Sequence, residues 1–208
     1  MKDLGELKYF LGIEFARSAD EIIMHKRKYV LEIISELRLG AAKPVATPLE
    51  VNAKLTTKEY DDHLGTSSNV QPKRSHMDAT LRVVKYVKNH PGQGILMSNK
   101  TTGTLEAFCD ADWVACQHSR TSVTSFLIKL GGSLVSWKSK KQTTISRCFT
   151  EAEYRSLAVT IAKLVFLVGL IKEIGVDVQL PVNIHCYSKA AIQISANPDF
   201  KNEQNILI

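Results

Sequence analysis

Between residues 104 and 196 the hydrophobic period changes in an order that few architectures can satisfy. Three short runs, LEAFCDA, VTSFLIKL and SLVSWKS, read as strands separated by turns, one of them at Gly131-Gly132. A long stretch from Glu151 to Glu173 then repeats Leu157, Ile161, Leu164 and Ile171 at helical spacing. VNIHCY returns to strand character, and KAAIQISA closes the series as a short helix. Three consecutive strands with tight connections are antiparallel, whereas strand, long helix, strand implies a right-handed crossover to a parallel partner. The expected order is βββαβα in a mixed α/β domain.

The N-terminal part reads as a separate, smaller unit. LGELKYFLGIEF places Tyr9, Leu11, Ile13 and Phe15 on one face of a strand, and EIIMH follows a polar turn at Ser18 to Asp20, which makes a β-hairpin. Val30, Ile33, Ile34 and Leu37 then recur at helical spacing until Gly40 and Lys43-Pro44 stop the helix. From Val45 to Val70 the chain is polar and lacks apolar periodicity, which reads as an exposed linker. A helix is expected from about Ser75 to Asn89, presenting Met77, Leu81, Val84 and Val87, before His90-Pro91-Gly92 ends it.

Composition narrows the setting. With 44% hydrophobic and 23% charged residues the 208-residue chain is ordinary globular material. The net charge of +6 suits either a polyanionic partner or plain solubility. Cys109, Cys116, Cys148 and Cys186 form no C-x-x-C pair, so neither a disulfide framework nor a structural zinc site is indicated, and a reducing interior is expected. His25, His63, His76, His90, His118 and His185 are scattered without ligand spacing. No run of 18 apolar residues and no secretory leader is read, so the expectation is an intracellular, cytoplasmic or nuclear protein without a membrane partner.

FCDADWV, SWKSKKQTTISRCFTEAEYRSLA and HCYSKAAIQI together resemble, in order and spacing, the ribonuclease H region of copia-type retrotransposon Pol polyproteins. MKDLGELKYFLGIEF and KRKYVLEIISELRLGAAKPVATPL resemble the end of that family's reverse transcriptase, its primer-grip hairpin and thumb. The resemblance implies three segments: 1–44 as a primer-grip and thumb-like fragment, 45–103 as linker and shortened connection, and 104–208 as a ribonuclease H-like domain, incomplete at its C-terminus. It also implies departures. The polymerase fingers and palm would precede MKDLG, making Met1 an internal methionine and leaving the polymerase portions to another chain. Tyr60-Asp61-Asp62 mimics the family's Tyr-x-Asp-Asp site without its intervening residue, and Ser67-Ser68-Asn69-Val70 meets Gln71-Pro72 where a longer connection is usual.

The family hydrolyses the RNA strand of RNA·DNA hybrids with two divalent ions about 4 Å apart. Mg²⁺ demands several converging oxygen ligands, and four acidic positions are usual in the family. Asp110, inside the first strand after Phe108 and Cys109, matches the first, whereas Asp112 reads as a solvated turn residue. Glu153 matches the second, one turn before Leu157 on the stripe that faces the sheet, while Glu151 points about 200° away. Thr150-x-x-Glu153 also fits a capping box, a competing role for the same carboxylate. The third position, Asp in the family, is Tyr187, a bulky phenol neutral at pH 7. The fourth would follow a Lys-His-Ile segment that FKNEQNILI does not reach. Phe149 stands where the family favours Ser, and Lys163 where an acidic residue is common.

Three readings follow: a Mg²⁺-dependent hybrid ribonuclease using Asp110 and Glu153, with Lys138, Lys140, Lys141 and Arg147 contacting phosphates; a basic module that binds RNA·DNA hybrid or other nucleic acid weakly without cleaving it; and a decayed, inactive copy. The third is favoured.

Overall fold

The computed structural model describes residues 6–50, 55, 56, 62, 63, 65, 73–99, 103–116 and 118–197. The Tyr60-Asp61 part of the polymerase-site mimic, the junction at 67–72 and the final segment 198–208 lie outside the described residues. The chain divides into two compact units, Met1–Leu96 and Met97–Ile208.

The first unit is built on a four-stranded sheet in the order β1-β2-β3-β4, comprising β1 (Tyr9–Phe10), β2 (Ile13–Arg17), β3 (Glu21–His25) and β4 (Gly94–Ser98), the last two residues of β4 falling past the unit boundary. The hairpin of β2 and β3 turns where expected, with the Ser18 amide donating to the Glu21 carbonyl at 2.8 Å and the Glu21 amide to Ser18 Oγ at 3.1 Å. The expected single strand through Leu11 is instead broken. Tyr9 pairs with Glu14 and Phe10 with Ile13, leaving Leu11-Gly12 as a two-residue loop with φ of 49° and 77°. Both values are left-handed, as a tight hairpin turn of the mirror-image type requires. Gly12 adopts that conformation freely; Leu11 does so against its own Cβ and stands 78% exposed.

β4 closes on β3 so tightly that a Cβ on Gly94 would meet the Met24 carbonyl and, at 2.8 Å, the His25 Cβ. Only glycine lets the two backbones approach in this way.

Helices α1 (Arg27–Glu36) and α2 (Arg74–Val87) pack together, burying Ile34 and Val84. α1 has no side-chain N-cap, while its C-terminal end is closed by the amides of Leu37, Arg38 and Leu39 donating to the carbonyls of Ile33, Ser35 and Ile34, with Arg38 left-handed at φ 54°. Glu14 of β2 accepts the Lys28 amide at 2.8 Å, placing a carboxylate at the positive end of the helix. Lys88 donates to the carbonyls of Leu39 at 2.9 Å and Ala42 at 2.8 Å, and also to that of Gly40. Residues 45–50 are tied to α2 as well, through Arg82 to Thr47 and Glu50 and Asn89 to Val45.

The second unit has the ribonuclease H-like βββαβα order: β5 (Thr104–Asp112), β6 (Val123–Leu130), β7 (Ser133–Lys141), α3 (Phe149–Glu173), β8 (Gln179–Cys186) and α4 (Lys189–Ala196). Its sheet runs β7-β6-β5-β8, antiparallel through the first three strands and parallel between β5 and β8. Leu105, Ala107 and Cys109 of β5 and Phe126 and Ile128 of β6 meet Leu157, Leu164, Leu167 and Ile171 of α3 in one core. The α3 stripe is therefore where its spacing placed it.

By length and composition α3 is apolar enough to cross a membrane. Its burial against the sheet marks it as a core helix of this fold, although Val159, Val165, Phe166 and Leu170 are exposed on its outer side.

The opposite face of the sheet carries a continuous cross-strand row, Trp137, Leu127, Phe108 and His185, fixed by register. Phe108 and His185 stack with centroids 4.4 Å apart, and Lys129 Nζ sits 5.5 Å from the Phe108 centroid. Trp137 is 59% exposed.

Leu11→Asn should remove the side-chain strain of the β1–β2 turn. Urea unfolding is expected to show the first unit stabilised by about 0.4–1 kcal/mol. A loss of stability would mean that the turn does not hold Leu11 left-handed.

Candidate active site at the head of β5

Alternation along β5 sends Leu105, Ala107, Cys109 and Ala111 into the core and Glu106, Phe108, Asp110 and Asp112 to the other face. Asp110 is thus exposed near the C-terminal end of the strand, with Asp112 on the same side. Its backbone is fastened to the helix, because Ser156 Oγ of α3 donates to the Asp110 carbonyl at 2.7 Å.

α3 begins at Phe149, two residues before the expected start, with Cys148 as an extended N-cap that makes no side-chain bond. The shift decides between the two roles open to Glu153. Glu151, not Glu153, reaches back to the helix entry, accepting the Arg147 amide at 2.7 Å and pairing with Arg155 at 2.7 Å. The first of these bonds, then Arg155, holds the Glu151 carboxyl below the usual carboxylate range. Glu153 is left free of capping and points to the sheet.

Glu153 is 1% exposed, and its Oε2 has no hydrogen-bond partner. Burial, and after it the charge of Asp110, pushes the Glu153 carboxyl above the usual range, with the Ala111 amide opposing the shift. The structure therefore brings Asp110 and Glu153 within electrostatic reach at the junction of β5 and α3.

Tyr187 lies one residue beyond the end of β8, whose last registered pair with β5 is Cys186 with Cys109. Its side chain is 88% exposed. Ser188 keeps a separate structural task as N-cap of α4, its Oγ accepting the Ala191 amide at 3.2 Å.

A magnesium ion needs near-octahedral oxygen coordination, with carboxylates converging from several elements. Here the orphaned Glu153 oxygen and Asp110 are two such donors, a phenol stands at the third position, and among the described residues no group of three or more His, Cys, Asp or Glu is placed to hold a metal. This donor set does not fit a two-ion site.

The four basic residues expected at phosphates are not gathered on one surface. Register with β6 puts Lys138 opposite Phe126 and Lys140 opposite Thr124, on the α3 side, while Lys141 lies opposite Val123 on the other. Lys141 Nζ donates to Cys116 Sγ at 3.0 Å. Hydrogen bonds from Ser119, then Lys141, bring the Cys116 thiol down to about 6. Arg147 is exposed in the loop before α3, where its amide serves Glu151.

That loop is anchored by residues that carry no periodic signal. Gln142 Nε2 donates to Thr124 Oγ1 at 3.1 Å and to the Ala152 carbonyl at 3.0 Å, while Ser146 Oγ donates to Gln142 Oε1 at 2.9 Å. Trp113 Nε1 adds a bond to the Ser146 carbonyl at 3.3 Å. Together they set where α3 starts, and hence where Glu153 falls.

The βββαβα order of the second unit is that of a ribonuclease H-like fold, preceded in the chain by a small sheet-and-helix unit. No protein-family model and no solved structure matches the chain. It is similar to the retrovirus-related Pol polyprotein from transposon RE1 of Arabidopsis thaliana, 32% identical over 228 residues, which is 96% of this chain and 16% of that one. It is also similar to an uncharacterized mitochondrial protein of the same plant, 32% identical over 191 residues, 79% of this chain and 80% of that protein. The retrovirus-related Pol polyprotein from transposon TNT 1-94 of Nicotiana tabacum is 24% identical over 95% of this chain and 18% of its own length. The chain belongs to the Pol polyproteins of copia-type retrotransposons and spans less than a fifth of the length of these curated polyproteins.

Two measurements test the site's electrostatics. Because the Glu153 carboxyl titrates above its unfolded value, the native state binds the extra proton, and stability falls as pH rises from the ordinary glutamate range through the native value. Glu153→Gln should abolish that slope and, at neutral pH, stabilise the domain by on the order of 1 kcal/mol; an unchanged slope would show that Glu153 does not cause it. Separately, iodoacetamide labelling of Cys116 should reach half its maximal rate near pH 6, with the thiolate reacting above it, as its lowered thiol requires. Lys141→Met should move that midpoint upward; a midpoint in the ordinary thiol range for the native chain would contradict the Lys141 contact.

Proposed function

We propose that this chain is a non-catalytic remnant of the reverse transcriptase and ribonuclease H region of a copia-type Pol polyprotein. In this reading residues 1–44 derive from the primer-grip and thumb, 45–103 from the linker and connection, and 104–208 from the ribonuclease H domain. The observation that carries it is the donor set at the head of β5, where Asp110 and Glu153 stand with Tyr187 in place of a third carboxylate. Two carboxylates supply neither the charge nor the coordination that divalent-ion hydrolysis of an RNA strand demands. Mg²⁺, the family's ion, would bind here weakly at best, and the protein would reside inside the cell, in cytoplasm or nucleus.

A second reading is favoured by the net charge of +6 and by the exposed Lys138 and Lys140 on one side of β7. It keeps weak, sequence-independent binding of RNA·DNA hybrid or other nucleic acid, without cleavage. Such binding rests on phosphate neutralisation and falls steeply as salt rises.

Incubating the purified chain with a labelled hybrid and Mg²⁺ or Mn²⁺ is expected to leave the RNA strand intact. Tyr187→Asp should create a third carboxylate and with it measurable Mn²⁺ binding by electron paramagnetic resonance. Cleavage by the unaltered chain that disappears in Asp110→Asn would overturn the first reading. Fluorescence anisotropy of the same hybrid decides the second, which fails if no salt-dependent binding appears at low ionic strength.

A further inference from the structure

Cys109 of β5 and Cys186 of β8 are direct partners in the parallel ladder, and both are free thiols. Both project to the α3 side, Cys109 inside the core cluster and Cys186 packed against it. Cys109 Sγ donates to the His185 carbonyl at 3.7 Å, and burial, then the neighbouring Cys186, push the Cys109 thiol up to about 12, so it is the slower of the two to react. Neither thiol has a part in the carboxylate site, yet each immediately precedes one of its positions, Asp110 on one strand and Tyr187 on the other.

We propose that Cys109 and Cys186 form a redox modification site, closing to an intramolecular disulfide by exchange with a small-molecule disulfide of the glutathione type. Neighbouring strands lie roughly 4.7–4.9 Å apart, inside the Cα separation of about 4.4–6.8 Å that a disulfide spans. A disulfide brings its two Cβ atoms to about 3.8 Å, closer than the spacing of the two strands. Closure therefore pinches the two strands by about 1 Å, which leaves the bond strained and easily reduced. Reversible disulfides have this character, in contrast to structural ones.

Exposure sets the order of events. Cys186 is the half-buried partner and meets the reagent first; Cys109 is 3% exposed and acts second. The Cys186 sulfur attacks the small disulfide, forming a mixed disulfide and releasing one small thiol that takes up the Cys186 proton. The Cys109 sulfur then gives up its proton and displaces the second small thiol, which carries that proton away. Two cysteines lose two electrons in all, and one small disulfide gains them. The product fixes the spacing of β5 and β8 directly beneath Asp110 and Tyr187.

The full chain, its fold verified by circular dichroism, is incubated with glutathione disulfide in native buffer and in urea, then alkylated and mapped by peptide mass spectrometry. Under native conditions a Cys109–Cys186 cross-linked peptide is expected, with an intact mass two hydrogens lighter and full reversal by excess reduced glutathione. The Cys116→Ser, Cys148→Ser double variant leaves the core untouched and should react identically. Cys109→Ala should stop at glutathionylated Cys186. The proposal is overturned if the native chain itself stops at the mixed disulfide, if the bond forms only between molecules, or if it appears only in urea.

Discussion

The hydrogen bond from Ser156 Oγ to the Asp110 carbonyl is the contact on which the second unit's geometry turns. α3 is apolar almost all round: Val159, Val165, Phe166 and Leu170 face outward while Leu157, Leu164, Leu167 and Ile171 face the sheet. Burial of apolar area alone distinguishes such faces poorly, because it is non-directional. The docked face is marked instead by polar residues, Glu153, Ser156 and Thr160, all at most 1% exposed. Ser156 bonds the strand, Thr160 bonds the Ser156 carbonyl at 2.8 Å, and Glu153 is carried to the β5 backbone as a result. One directional bond thus sets the rotation of the helix and the burial of its carboxylate.

Much of this architecture was legible in the residues. The three alternating runs, the stripe through Leu157 and Leu164, and the exact span of α4 all follow from local periodicity, which strong elements retain in the folded chain. Elements defined by backbone conformation were less visible. Leu at position 11 hides a turn that Asn would have announced, and Gly94–Ser98 is a strand only because a glycine lets it lie against β3. The start of α3 lies two residues before the position its periodicity suggests, because its N-cap is a cysteine that makes no capping bond and the usual Ser, Thr, Asp or Asn signal is absent there.

The candidate site divides along the same line. Asp110 and Glu153 were readable as carboxylates on a strand and a stripe, and Tyr187 as a departure from a motif. Gln142 and Ser146 were not, since polar residues in a loop look alike until their partners are known. The pairing of Cys109 with Cys186 depends on the register of a parallel ladder between strands 77 residues apart in number, a quantity that no local pattern encodes.

The cross-strand row of Trp137, Leu127, Phe108 and His185 gives the sheet two very different sides. One is sealed by α3, and the other presents aromatic and aliphatic groups to water. A two-layer body of this kind has a preferred direction of stickiness. A polar substitution at the exposed Trp137 would therefore change the character of that plane without touching the core sealed by α3.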